Sequence, residues 1–229
     1  MANRSRSPRS TLRRSLLEVY RARGHRNNNL WLVYSAKTDR DWLLPSDRQL
    51  VHWLAFLESN PEVLTFDLAP EPVLSHDDHE TRATELDATV VFRDRHVEWH
   101  EVKAGTIRKD SDRSQFLAQE AAAGQSGAIY RIFNDEDLIP KARIAIRWLK
   151  AMGFAEAIRG QEHGACRLSL VSYLNGKKGG HVRSILSELE SFDAAIVLGT
   201  LVRLSVSGTV QLDLEERSFG FGTRWRLYG

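Results

Sequence analysis

Cysteine is nearly missing from this 229-residue chain, and Cys166 stands alone. A single thiol excludes an internal disulfide framework and a thiolate zinc cluster. Nothing around Cys166 marks it as a nucleophile, so it reads as a packed residue. Long apolar runs are missing as well. None approaches the ~20 residues that a membrane span requires. The N-terminus has no apolar segment behind its charges, as a secretory signal needs. A reducing, cytoplasmic setting fits these absences best. No internal repeat is visible, and no low-complexity tract lies outside the N-terminus.

Acids are scarce at the start of the chain. From Met1 to Asn29 a single Glu18 stands against Arg4, Arg6, Arg9, Arg13, Arg14, Arg21, Arg23 and Arg26, although the net charge of the whole chain is only +2. Such an arm suits a polyanion, most simply a nucleic-acid backbone. A disordered solubilising tail has the same composition. A mitochondrial-type presequence shares it too, but apolar periodicity in the arm is weak. The expected organisation is a basic arm over 1–29, an α/β domain over 30–158 and a smaller domain over 159–229.

After the arm, Leu30 to Ser35 is short and apolar and reads as an early strand, followed by a loop through Trp42 and Pro45. Ser46 opens a helix in which Leu50, Trp53, Leu54 and Leu57 recur at helical spacing. Ser46 and Gln49 make a capping-box pattern, and Ser59-Asn60-Pro61 ends the helix. Val63 to Leu68 reads as a strand, and Pro70 and Pro72 place it at a sheet edge. His76 to Glu80 is a polar loop. Two strands follow, Glu85 to Phe92 and Val97 to Lys103, joined by Arg93-Asp94-Arg95. A charged loop leads from Thr106 to Arg113. A helix is predicted over Ser114 to Ala123, with Phe116, Leu117 and Ala121 buried and Gly124 and Gly127 as its stop. Ala128 to Phe133 reads as a strand, and Pro140 to Met152 as a helix stopped by Gly153, with Ile144, Trp148 and Leu149 on one side. This order predicts a mixed α/β domain with its polar cluster at one edge or end of the sheet.

The texture changes near Gly160. Arg167 to Leu174 reads as a helix, Asn175 to Gly180 as a flexible turn, and His181 to Leu189 and Asp193 to Ser205 as two short helices. Two strands close the chain, Thr209 to Leu214 and Thr223 to Leu227. Helices followed by a two-stranded ribbon are the layout of a winged helix. Such modules bind DNA or other proteins.

The chemistry sits on the hairpin. Alternation along a strand puts Glu101 and Lys103 on one face. If Asp87 faces the same side, two carboxylates and an ammonium converge, as in a divalent-metal site for cutting phosphodiesters. Magnesium uses few protein ligands, so Asp87 and Glu101 suffice in principle, and Lys103 can serve the attacking water. Charges on the wet face of a half-buried hairpin would leave the same pattern.

An Asp followed after a hairpin turn by Glu-x-Lys resembles the PD-(D/E)XK nuclease superfamily, with Leu86 where proline is usual. The surroundings narrow the resemblance. They are a Ser-led helix, Glu58-Ser59-Asn60-Pro61-Glu62-Val63, the strand ending Phe133-Asn134-Asp135-Glu136-Asp137-Leu138, and the C-terminal Gly208-Thr209-Val210-Gln211-Leu212-Asp213-Leu214. Over about Pro45 to Leu227 the chain resembles the TnsA family, endonuclease subunits of heteromeric transposases. The resemblance implies a restriction-endonuclease-like mixed sheet flanked by helices, plus a C-terminal winged-helix domain. It implies Mg2+ (or Mn2+) as cofactor and hydrolysis of the strand at the 5′ transposon ends of double-stranded DNA. It also implies a TnsB-like integrase-type transposase and a TnsC-like ATPase regulator as partners, and a bacterial, nucleoid-associated location without a membrane. Asp87 and Glu101 then bind metal and Lys103 serves the water. The family's acid on the first helix falls at Gln49, which brings no charge; Asp47 and Glu58 are nearby acids. A scaffold subunit that keeps the fold but does not cut, and a stand-alone restriction or repair nuclease, are the alternatives.

Other candidates are weaker. His76, Asp77, Asp78, His79 and Glu80 could hold zinc with His96 and His100, but histidines four apart on a strand lie about 13 Å from each other. Arg108, Lys109 and Arg113 are placed to hold phosphates near the cut, and Lys177, Lys178 and Arg183 can do so for the C-terminal module. Trp53, Trp99 and Trp148 read as core rather than stacking platforms.

Overall fold

The early strand has a partner hidden in what reads as a loop. β1 (Trp31–Ser35) pairs antiparallel with β2 (Arg40–Leu44), in register from Trp31 opposite Leu44 to Ser35 opposite Arg40. The charges of Arg40 and Asp41 disguise β2, but alternation turns Trp42 and Leu44 into the core. Arg40 lies 4.5 Å over the Trp42 ring, and Arg159 holds Asp41 at 2.6 Å. The computed structural model describes residues 29–76, 81–105 and 110–228, with side chains described except at 73–76, 81–84 and 110–115. The basic arm, apart from Asn29, lies outside these residues.

α1 (Asp47–His52) begins where expected, because Ser46 caps it by accepting the Gln49 N–H at 3.2 Å. It continues as a π-helical turn over Trp53–Glu58, in which the Ser59 N–H reaches back to the Leu54 carbonyl. Leu50, Trp53, Leu54 and Leu57 are all buried, as their spacing predicts.

The central sheet has four strands in the order β3 (Val63–Asp67), β6 (Ala88–Phe92), β7 (Val97–Val102), β8 (Ile129–Phe133). β3, β6 and β7 form an antiparallel meander, with β3 at the edge that its prolines indicate. β8 adds parallel to β7, which requires the crossover that α2 (Asp110–Gln125) supplies. α2 begins four residues before the predicted Ser114. Phe116 is buried, but Leu117 is 58% exposed and Ala121 is exposed, while Ala122 and Ala123 face the sheet. A separate two-stranded hairpin, β4 (Val73–His76) and β5 (Thr81–Thr84), replaces part of the expected polar loop.

Asn134 caps α3 (Asp135–Leu138) through a capping box with Asp137, and a 3₁₀ turn (Ile139–Lys141) leads into α4 (Ala142–Ala157). α4 runs straight through Gly153 instead of stopping there. An interior glycine costs a helix about 1 kcal/mol. Burial of Ala151, Met152, Ala155 and the following Ile158 offsets it.

The C-terminal part comprises α5 (Gly164–Lys177), β9 (Gly179–His181), α6 (Val182–Glu188), α7 (Ala194–Val206), β10 (Val210–Leu212) and β11 (Arg224–Leu227). The segment expected as a flexible turn is ordered: α5 extends to Lys177, Lys178 turns at φ +64°, and the two glycines enter β9. The three strands form a sheet in the order β10-β11-β9. Asp193 caps α7 by accepting two N–H groups. α7 crosses α4 closely at Gly199, where a Cβ would stand 2.5 Å from the Phe154 carbonyl oxygen. One core therefore runs through both parts, from Val33 and Trp53 through Trp148 to Leu201 and Trp225. A smaller cluster of Leu86, Trp99, Ala122 and Ala123 lies beneath α2. Trp53, Trp99, Trp148 and Cys166 are buried, as expected. Among the described residues no helix is long and apolar enough to cross a membrane.

Candidate functional site

The two faces of β7 have different tasks. Glu98 and His100 face α1, whereas Trp99 and Glu101 face α2. Asp87 stands just before β6, where its N–H donates to the His100 carbonyl at 3.1 Å. This seats its side chain beside the end of β7. Lys103 stands just after β7, and its N–H donates to the Phe133 carbonyl at 2.9 Å. The hairpin thus brings Asp87, Glu101 and Lys103 to one end of the sheet.

Gln49 joins them from α1. Its Nε2 donates to Asp87 Oδ1 at 2.8 Å, while the Val102 N–H donates to Oδ2 at 2.7 Å. The capping box is therefore only half formed: the Gln49 backbone serves Ser46, and the side chain goes to Asp87. The other two acids on this segment are engaged elsewhere. Asp47 accepts from Asn29 Nδ2 at 2.9 Å and Trp31 Nε1 at 2.8 Å. Glu58 is buried and accepts from Ser35 Oγ at 2.7 Å and the Ala36 N–H at 2.8 Å, tying the β1–β2 turn to the π-helical segment. Neither carboxylate can replace Gln49 at Asp87.

Lys103 Nζ meets Glu101 Oε1 at 2.5 Å, and Glu101 Oε2 is buried without a hydrogen-bond partner. Burial pushes the Glu101 carboxyl above its ordinary range, and the Asp87 charge adds to this against the Lys103 ammonium. Burial also raises the Asp87 carboxyl, although the Val102 N–H, Lys103 and Gln49 oppose it. Two carboxylates held close together share the single Lys103 ammonium, which leaves one negative charge for a further cation to balance.

Tyr130 and Gln119 complete the α2 side and are not apparent in the sequence. The Tyr130 hydroxyl donates to Gln119 Oε1 at 2.6 Å, and Gln119 is fully buried. Burial, then the charges of Glu101 and Asp87, hold the Tyr130 phenol neutral. Only the parallel pairing of Trp99 with Tyr130 could have placed this ring on the Glu101 face. Phe116 of α2 lies under the Lys103 ammonium at 5.8 Å.

Two features fix α1 against the sheet. Arg48 grips Asp135 through Nε at 2.5 Å and a second nitrogen at 2.9 Å, and Asp135 also accepts the Gly105 N–H at 2.9 Å. On the inner face His52 and His100 meet at 3.0 Å, and His100 Nε2 lies 2.8 Å from Glu98 Oε2. Glu98 can only accept, so His100 carries its proton on Nε2, and His52 donates from Nε2 to the bare His100 Nδ1. Burial depresses both imidazoles. His52 and His100 pack around Phe133 at 4.7 Å each.

Glu98 lies between His96 and His100, 3.5 and 2.8 Å from their Nε2 atoms, so both rings turn to one carboxylate rather than to a shared zinc position. The His76 to Glu80 side chains, Arg108, Lys109 and the Arg113 side chain lie outside the described residues. Lys177, Lys178 and Arg183 are exposed in the C-terminal part.

Among the described residues no group of three or more His, Cys, Asp or Glu side chains gathers as a metal cage. Asp87 and Glu101 nevertheless fit magnesium, a hard ion that takes oxygen ligands and keeps several waters. The orphaned Glu101 Oε2 is a ready ligand atom, whereas Gln49 faces Asp87 with its nitrogen and acts as a donor. The chain matches no protein-family model and no curated protein sequence.

Proposed function

We propose that this protein is a metal-dependent DNA endonuclease with a restriction-endonuclease-like core, working as the cutting subunit of a heteromeric transposase at the 5′ transposon ends. The observation that carries the reading is the meeting of Asp87, Glu101 and Lys103 at the end of the hairpin, with one Glu101 oxygen buried and unpartnered. Asp87 and Glu101 would hold Mg2+, or Mn2+ in its place. The ion would supply charge neutralisation on the phosphate and a lowered pKa for water. Lys103 is the group free to orient the attacking water and to balance the charge that develops on the phosphate, once Glu101 turns to the ion. Gln49 keeps the Asp87 carboxylate aimed. The order α1, antiparallel meander, α2, parallel β8 supports the nuclease-like core, and the order helix, strand, helix, helix, ribbon supports a winged-helix reading of the C-terminal part. A TnsB-like transposase and a TnsC-like ATPase are the expected partners, at the bacterial nucleoid.

A second reading, a DNA-binding scaffold that does not cut, is favoured by one feature. Both Asp87 oxygens already have donors inside the protein, and Lys103 already neutralises Glu101. Calorimetric titration with Mg2+ separates the two. The endonuclease reading expects one site that is lost in Glu101→Gln and in Asp87→Asn. No heat of binding in the wild type, or binding unchanged in both variants, would favour the scaffold.

A further inference from the structure

We propose that the outer face of the β9-β10-β11 sheet binds a nucleic-acid phosphate backbone. The inference rests on the nucleic-acid reading above for its choice of partner, but not on cleavage. Alternation along β11 buries Trp225 and exposes Arg224 and Arg226 on the opposite face. In register, Arg224 stands opposite His181, and Arg226 opposite Gln211. Arg226 Nε donates to Gln211 Oε1 at 2.6 Å, which fixes the guanidinium plane and leaves its terminal nitrogens for another acceptor. Lys141 lines the same groove of about 900 Å3. Lys141, Arg224 and Arg226 form no ion pair among the described residues. Two acids, Asp213 and Glu215, also line the groove, and these three cations outnumber them.

The usual reading element of such a module is not available. α7 is buried along most of its length against α4, α5 and β10. Its only cation, Arg203, turns inward to the Ala155 carbonyl at 2.9 Å and the Tyr34 hydroxyl at 3.1 Å. Exposed cations of the C-terminal part lie on the sheet, at its β9 edge, where Lys178 accepts the Leu227 N–H at 3.0 Å through its carbonyl, and singly at Arg167, Arg183 and Arg217. Only on β11 do two stand in line on one strand. Two arginines two residues apart on a strand are about 7 Å apart, close to the axial rise of two nucleotides in one DNA strand. A row of cations at such spacing suits a repeating anion better than a single acidic side chain. Phosphate contacts of this kind position a duplex without reading its sequence.

The test is fluorescence anisotropy of the full chain with a labelled duplex in EDTA, across a salt series, comparing wild type with the double variant Arg224→Ala/Arg226→Ala. The slope of log K against log salt should become shallower by about 1.8, or about 0.9 for each phosphate that is no longer neutralised, and equally on unrelated sequences. An unchanged slope and affinity, or no duplex binding by the wild type, would overturn the proposal. So would a double variant that loses capture by poly-glutamate while its duplex binding is unchanged, since the face would then belong to an acidic protein. EDTA removes cleavage from the assay. A shallower slope in a protein that never cuts DNA would leave this inference standing and sink the endonuclease reading. An unchanged slope in a protein that does cut would do the reverse.

Discussion

The Gln49 side-chain amide donates to Asp87 Oδ1 at 2.8 Å, across 38 residues of sequence. A neutral donor stabilises the carboxylate and leaves the site with two acids. Gln49→Ala should lower stability by about 1–3 kcal/mol, the range for removing a hydrogen bond to a charged, half-buried group. Gln49→Glu should melt below wild type in EDTA, because a third anion then faces Asp87, and should gain more than wild type when Mg2+ is added. Thermal melts with and without Mg2+ read both effects. An identical Mg2+ response in wild type and Gln49→Glu would show that this position does not face the ion.

Burial raises the Glu101 carboxyl, so Glu101 favours the fold at pH below its ordinary pKa and loses that contribution as pH rises through its raised value. At neutral pH the metal-free protein is therefore held back by its own site. Saturating Mg2+ at about 100 times its Kd should stabilise wild type by about 2.7 kcal/mol. Glu101→Gln should equal or exceed wild type in EDTA and gain nothing from Mg2+. Urea unfolding in the two conditions measures this, and an equal Mg2+ gain in the variant would remove Glu101 as a ligand.

His52 is buried and its imidazole is depressed, first by desolvation and then by the charges of His100 and Arg131. Its contribution is present above the ordinary value of 6.5 and is lost as pH falls toward the depressed one. Stability should fall with acid below about pH 6.5, by up to about 1.4 kcal/mol per pH unit for this one proton. In His52→Phe the unfolding free energy measured from pH 7.5 to 5 should lose that part of its slope. The same slope in both proteins would mean that His52 is protonated in the fold.

Gly199 lets α7 cross α4. A Cβ there would meet the Phe154 carbonyl oxygen at 2.5 Å and Ile158 carbons at 2.9 Å, and both helices are packed on either side. Gly199→Ala should cost about 1–3 kcal/mol as an overpacked core, despite the better helix propensity of alanine. A melting temperature at or above wild type would show that the crossing can relax.

The local signals in the sequence hold where the chain itself settles the structure. Ser46 caps α1, the Arg93-Asp94-Arg95 turn joins β6 to β7, and the spacing from Leu50 to Leu57 marks a buried face. What the sequence conceals is long-range. β2 reads as a loop because its charged residues find an aromatic face and an arginine far along the chain. Gln49 matches a cap box, but its side chain serves Asp87. Glu58 resembles an exposed acid two turns into a helix, yet the π-helical turn rotates it inward to the β1–β2 turn. Tyr130 and Gln119 meet only once β8 is known to pair parallel with β7.

The most direct measurement is strand cleavage of a transposon-end duplex with Mg2+ by this protein assembled with the integrase-type and ATPase partners proposed for it. Wild type should cut at the 5′ ends, and Asp87→Ala and Lys103→Ala should each reduce the rate at least about 100-fold, on the scale of losing one preorganised electrostatic group. Equal cutting by all three proteins would contradict the assignment of the site.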